Sequence, residues 1–243
     1  MDKTAKYFDH WANIGRSEDM EKGHGTTVNK FLSKISFEKK FSFLDIGCGN
    51  GWVVKKIAQL DTCTRAVGID KSKNMIRKAK KTKISTKEQY YTTDLESSKF
   101  SAKFDVIFSM ESLYYSVPME PALHKVYKLL KNGGIFYCGT DFYKDNHLTT
   151  RWIKDMKIPM DLRSESDWKK MFKEVGFKTR IKHVTDPKNK TKWKREFDII
   201  FNWNQVRGFF SLRVFALITK IIAAPKTKSV SYTHLTLPTI LLV

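Results

Sequence analysis

The chain has 243 residues, 41% of them hydrophobic, enough for one globular domain with its own core and too few for two full ones. Its net charge of +20 ordinarily points to an anionic partner, but 36 of the 45 basic residues are Lys and 9 are Arg; nucleic-acid sites favour Arg for bidentate contacts, and an AT-rich genome alone fills solvated positions with Lys. Cys48, Cys63 and Cys138 lack CxxC spacing and an even count, which supports neither a disulfide framework nor a structural zinc site.

The N-terminal MDKTAKYFDHWANIG holds no apolar core of signal-peptide length, so a cytoplasmic protein is expected. Residues 7–25, YFDHWANIGRSEDMEKGHG, mix aromatics, Arg16 and two glycine breaks, and residues 1–25 are expected to cap a site. Val28, Phe31, Leu32 and Ile35 follow Thr26-Thr27 at i, i+3, i+4, i+7, the stripe of a helix feeding a strand at 41–46. The loop DIGCGNG comes next, and Val53, Val54, Ile57 and Ala58 mark another helix. Short apolar runs at 65–69, 104–108 and 135–138 read as strands covered on both faces. Leu123, Val126, Tyr127 and Leu130 mark a helix with its stop at Asn132-Gly133-Gly134. Trp168, Met171, Phe172 and Val175 mark one entered through Ser164-Glu165-Ser166-Asp167, a capping-box variant, and stopped by Gly176.

Beyond Gly176, FKTRIKHV and REFDIIFNW read as a hairpin around TDPKNKTKWK. Residues 206–224, VRGFFSLRVFALITKIIAA, read as an apolar helix with Arg213 and Lys220 on one stripe. Its length and charges argue against a spanning helix; its wide apolar face suits peripheral membrane contact, a lipophilic pocket or docking onto the parent domain. Residues 144–228 carry 21 Lys and Arg against 9 Asp and Glu, a net +12 of the +20.

The alternation of strand and helix is a βαβ series, hence an open parallel sheet with helices on both faces. Such sheets bind ligands beyond the carboxyl ends of their strands, where DIGCGNG falls. A dinucleotide loop needs a third glycine where Trp52 stands, and a phosphate loop needs Gly-Lys-Ser/Thr, but this loop has no cation. Instead Asp45 stands at its entrance, hostile to pyrophosphate and suited to a ligand with cationic groups. S-adenosylmethionine, with its sulfonium and ammonium, is such a ligand.

FLDIGCGNGWVV closely resembles motif I of the class I S-adenosylmethionine-dependent methyltransferases. Other pieces of that family's pattern follow in order over about residues 26–185: VGID ending in Asp70, TTDLES with Asp94 and Leu95, FDVIFSMESLYY on the fourth strand and LLKNGGIFYCGT on the fifth. The resemblance implies a Rossmann-like doubly wound α/β sheet of about seven strands, mostly parallel with an antiparallel last strand. It implies S-adenosyl-L-methionine as cofactor, with Asp70 on the ribose hydroxyls, Asp94 beside the adenine amino group and the Leu95 N–H on the ring. Asp45, Gly47, Cys48, Gly49, Gly51, Ser109, Met110 and Arg16 complete the expected cofactor set, Cys48 by packing. The domain is expected over residues 26–205 and the apolar basic segment over 206–229. Residues 230–239, VSYTHLTLPT, resemble the translation of a transposon-based sequencing adapter, so 230–243 are read as a non-native tail and set aside from function.

Methyl transfer is a direct displacement at carbon and needs no metal; the protein supplies alignment, a dry site and sometimes a base. No Asn/Asp-Pro-Pro-Tyr/Phe follows the fourth strand and no Pro-Cys pair serves a cytosine mechanism, which favours a small acceptor over nucleic acid; the apolar face of residues 206–224 leaves room for a lipophilic one. RNA or protein methylation, and a non-catalytic cofactor-binding partner protein, stay open as alternatives. Catalytic candidates are His24 as a general base and Glu111, Tyr114 and Asp141, near strand ends, as groups that orient the substrate, with Tyr7 or Trp11 shielding the sulfonium by cation–π contact. The oligomeric state is not legible.

Overall fold

A computed structural model describes residues 2–33, 35, 37–146, 153, 156–184 and 239–242. REFDIIFNW and residues 206–224 lie outside them, as does His147. Seven strands form one sheet in the order β3-β2-β1-β4-β5-β7-β6. These are β1 Phe41–Ile46, β2 Cys63–Asp70, β3 Glu88–Thr92, β4 Phe104–Met110, β5 Leu130–Thr140, β6 Ile181–Val184 and β7 Thr239–Leu242. The first five pair in parallel, and β7 is antiparallel to both β5 and β6. The helices are α1 Lys3–Asn13, α2 Arg16–Leu32, α3 Trp52–Ala58, α4 Lys73–Lys81, α5 Met119–Leu129 and α6 Glu165–Val175.

Strand β1 is buried along its whole length, and alternation sends its side chains to opposite faces. Phe41 and Phe43 join Val28, Phe31, Val54, Ile57 and Ile76 under α2, α3 and α4. Leu44 and Ile46 join Leu123, Val126, Trp168 and Phe172 under α5 and α6. Two covered faces explain why the strands read as near-continuous apolar runs.

Four details depart from the sequence expectation. Helix α2 runs unbroken through Gly23 and Gly25, and the one break in the N-terminal segment is Gly15, left-handed at φ 81°; burial of Ser17, Thr27, Val28, Phe31 and Leu32 along one face outweighs the glycine penalty. Helix α5 ends at Leu129 rather than at the glycines, because Leu130 already pairs with Phe104 in β5. Of the expected strand 177–184, only Ile181–Val184 is extended into the sheet. The antiparallel strand is made by Thr239–Leu242, part of the tail set aside above, which lies in register with Cys138–Thr140 on one side and Ile181–Val184 on the other; a strand there gives both neighbours backbone partners along an edge. By contrast α6 is bounded as its sequence predicts: Ser164 and Asp167 form the reciprocal capping box, and Gly176 takes the left-handed C-cap at φ 111°.

Candidate active site

The loop after β1 is shaped before any ligand arrives. Gly47 and Cys48 donate their N–H groups to the Ile69 carbonyl at 2.9 and 3.0 Å, and Gly51 N–H closes on the Cys48 carbonyl at 2.9 Å. At Gly47, φ is 72° and a Cβ would collide with the Ser112 side chain. At Gly51, φ is 80° and a Cβ would meet the Tyr90 ring and Ala79. Both positions therefore demand glycine twice over, for conformation and for space. Tyr90 is fixed in turn by donating its hydroxyl to buried Glu88 at 2.6 Å.

Asp70, at the end of β2, accepts the Gly49 N–H at 2.9 Å and the Ser72 N–H at 2.8 Å. Burial pushes its carboxyl up to about 6, against the relief of those two bonds. Ser72 also donates its hydroxyl to Asp9 at 2.6 Å, and Asp9 accepts the Asn74 N–H at 2.9 Å. Asp9 thereby ties α1 to the N-terminus of α4, where a carboxylate complements the helix dipole. Asp2 pairs with Lys71 at 3.2 Å, and Lys78 reaches Ser17 and Glu18 at 2.8 and 2.9 Å. The N-terminal helices are thus fastened to the segment that carries Asp70.

A cleft opens at the carboxyl ends of β1, β2 and β4. One lobe is lined by Thr4, Phe8, Asp70, Asp94, Leu95 and Tyr115, among others. The other is lined by Ser17, His24, Asp45, Cys48, Asn50 and Trp52, among others. Met20, Gly47, Gly49, Met75, Met110 and Glu111 line both, so Glu111 is the charged group where the lobes meet. Lys71, held by Asp2, is the only Lys or Arg among the described lining residues, against Asp45, Asp70, Asp94 and Glu111. Asp45 is 3% exposed, and burial together with the Asp70 charge holds its carboxyl well above the usual range. A ligand carrying positive charge relieves this concentration of acids; an anionic one aggravates it.

Glu111 follows β4 with a left-handed φ of 52°. Its N–H donates to the Gly139 carbonyl at 2.9 Å, while its carboxylate accepts the Asp141 N–H at 2.6 Å and the Tyr114 hydroxyl at 3.1 Å. Burial, with the Asp141 charge behind it, raises the Glu111 carboxyl well above its ordinary value. Tyr114 and Asp141 are buried and do not line the cleft; they hold Glu111. Asp94 is half-buried, with one oxygen accepting the Ser97 N–H at 2.6 Å.

Several expected members stand elsewhere. Ser109 is fully buried, with its hydroxyl unpartnered, and is absent from the lining; strand alternation turns it away from the side that presents Met110. Arg16 lies over the Trp11 ring at 5.3 Å instead of facing the cleft. Tyr7 and Trp11 pack with Phe8 in one aromatic group, and Phe8 is the member that reaches the lining. The buried Cys48 thiol is pushed up by burial, consistent with packing. Sequence reasoning missed Thr4, Phe8, Ser17 and Met20, which no motif marks; only the helical spacing from Thr4 to Phe8 hinted at a shared face.

Residues 44–138 match the methyltransferase domain family. The sterol 24-C-methyltransferase of Clavispora lusitaniae is 24% identical over 72% of this chain and 48% of its own. The ubiquinone biosynthesis O-methyltransferase of Pelagibacter ubique is 36% identical over 42% of each. Among solved structures, the complex between the Haloferax volcanii Trm112 methyltransferase activator and a candidate methyltransferase aligns with TM-score 0.71 and 26% identity, over 74% of this chain and 80% of that one. The chain spans about half the length of the curated relatives it matches.

Proposed function

We propose that this chain, a member of the class I S-adenosylmethionine-dependent methyltransferases, moves a methyl group from S-adenosyl-L-methionine to a small, lipophilic acceptor. The observation that carries the reading is the acid-lined two-lobed cleft around the Gly47–Gly51 loop, in which Lys71 is the sole described Lys or Arg. When bound, the cofactor supplies a methyl group on a positively charged sulfur. Asp70 accepts hydrogen bonds from ribose hydroxyls, and Asp94 with the Leu95 backbone receives the adenine. Asp45 supplies negative charge for an ammonium group in the second lobe. Phe8, Met20 and Met75 exclude water from the junction, which strengthens every charge interaction there. Glu111, at that junction, orients the acceptor and holds or takes its proton, while Tyr114 and Asp141 fix its carboxyl. His24, in the second lobe, is the alternative proton carrier. Residues 1–25 act as the cap of the site.

A small acceptor fits the absence of nucleic-acid methyltransferase motifs after β4, and a lipophilic one fits the sterol relative. The test begins with calorimetric titration of S-adenosylmethionine and S-adenosylhomocysteine. It continues with a screen of phenols, quinones, carboxylates and sterols, read as S-adenosylhomocysteine formed. Absence of cofactor binding overturns the reading; binding with turnover only on RNA or protein moves the acceptor class; tight binding without turnover on any acceptor favours a non-catalytic partner.

A further inference from the structure

Beside the cleft, the acid-free run with the most cations in the sequence lies on and around α4. From Lys71 to Lys87 the sequence has eight Lys and Arg and no Asp or Glu. A genome-wide bias raises Lys everywhere but does not remove acids from one run; α1, α2, α5 and α6 each carry both signs. Part of the run is explained internally: Lys71 pairs with Asp2, Lys78 with Glu18, and Lys87 donates to the Leu60 carbonyl. Lys73, Arg77, Lys80, Lys81 and Lys83 are exposed, and none forms an ion pair among the described residues. The helix dipole accounts for cations in the last turn, but at Lys73, in the first, it opposes one.

Met75, Ile76 and Ala79 are the buried side of α4. Lys73, Arg77, Lys80 and Lys81 follow at i, i+4, i+7 and i+8 and so share the outward side. Ile84, just beyond, is 64% exposed. We propose that this face of α4 docks on an anionic bilayer surface. Helix-borne clusters of this size are attracted to acidic headgroups as point charges. Because the apolar side of α4 is already spent on the protein core, the contact is electrostatic and superficial rather than inserted. Nucleic acid suits the face less well. It has a single Arg for bidentate contacts. The nearby exposed ring, Tyr91, packs on Phe100 at 6.0 Å, on the opposite side of the sheet from α4, so among the described residues no stacking platform flanks the cations. Docking is independent of methyl transfer, although it would concentrate the protein where a lipophilic acceptor resides.

The test is co-sedimentation of the full chain with phosphatidylcholine vesicles with and without phosphatidylglycerol. Binding is expected only with the anionic lipid. Each charge near the surface is worth about fivefold in binding, so Lys80→Glu with Lys81→Glu should weaken it at least about thirtyfold. Lys169→Glu with Lys173→Glu, exposed on α6 across the sheet, makes the same change in net charge and should leave binding within about twofold. No binding to the anionic vesicles, or equal losses in the two variants, overturns the proposal. Tighter binding to a labelled RNA at matched salt, lost in the α4 variant alone, also overturns it and reassigns the face to nucleic acid.

Discussion

Replacing Asp70 by Asn probes the centre of the proposed cofactor lobe with almost no change in shape. The carboxylate now receives Gly49 N–H at 2.9 Å and Ser72 N–H at 2.8 Å. An amide keeps one acceptor oxygen and turns an NH2 group toward the other donor, so one backbone bond becomes a donor facing a donor. A hydrogen bond to a charged group contributes about 1.5–3 kcal/mol. Losing one, and offering the ribose a neutral acceptor, costs about 3 kcal/mol of binding, or about a hundredfold in Kd. Titration calorimetry measures this, with circular dichroism melts to verify that both proteins are folded. The pH dependence is a second reading of the same group. Burial lifts Asp70 to about 6, and the protonated acid is a poor double acceptor. Wild-type affinity should therefore be full above pH 6 and fall about tenfold per unit below it, whereas the Asn variant stays flat. Affinities within about threefold of each other, or one pH profile shared by both proteins, would refute the reasoning.

Other outcomes follow from the same geometry. Because Asp70 binds its proton more tightly folded, at about 6, than at its ordinary 3.8, the folded state holds more protons between those values. The ligand-free protein should then lose stability as pH rises from about 4 to about 6, by up to about 3 kcal/mol in denaturant titrations, and not regain it above. Gly47→Ala should cost at least about 2 kcal/mol, from the left-handed backbone and the collision with Ser112; adding Ser112→Gly should restore the steric part only, as read from midpoints of unfolding. Asp9→Ala removes the acceptor for Ser72 Oγ–H and Asn74 N–H and should cost about 1–2 kcal/mol, with faster hydrogen exchange in α1 than in β1; equal protection of α1 in both proteins would count against the tie. Glu111→Gln should leave cofactor affinity within about threefold while lowering kcat at least about a hundredfold on whatever acceptor the screen finds. An unchanged kcat would move the proton-carrying role to His24.

What the sequence discloses depends on how local the cause is. Strand β1 falls on 41–46 as read, because burial on both faces leaves an uninterrupted apolar run. The α6 cap is legible because Ser164 and Asp167 satisfy each other within one turn. Strand β3 was not legible: Glu88 is a charged residue at 0% exposure, tolerable only because the Tyr90 hydroxyl and the Ile84 and Ser85 N–H groups surround it. Gly23 and Gly25 announced a break that tertiary burial of α2 overrules. At the site, Asp45, Asp70, Asp94 and the glycines were legible because they sit at strand ends within one motif series, and Glu111 because it follows the fourth strand. Phe8 and Met20 were not, since their contribution depends on where Asp9 and Lys78 fasten the N-terminal helices. The basic excess of residues 144–228 falls largely outside the described residues, whereas the acid-free run from Lys71 to Lys87 is legible in the sequence and only its division into matched and unmatched cations needed the structure.

Glu111 keeps a left-handed backbone at φ 52° with a full side chain attached and a half-buried carboxyl facing the cleft. Gly or Asn would occupy that conformation more cheaply, and neither would crowd an acid against Asp141. On the role proposed for Glu111, heat tolerance and turnover ask for different amino acids at one position. A library of variants selected only for surviving high temperature should drift toward Gly or Asn at 111, while one selected for product should hold the acid. The divergence between two such evolved populations would measure how much folding free energy this chain gives up for its chemistry.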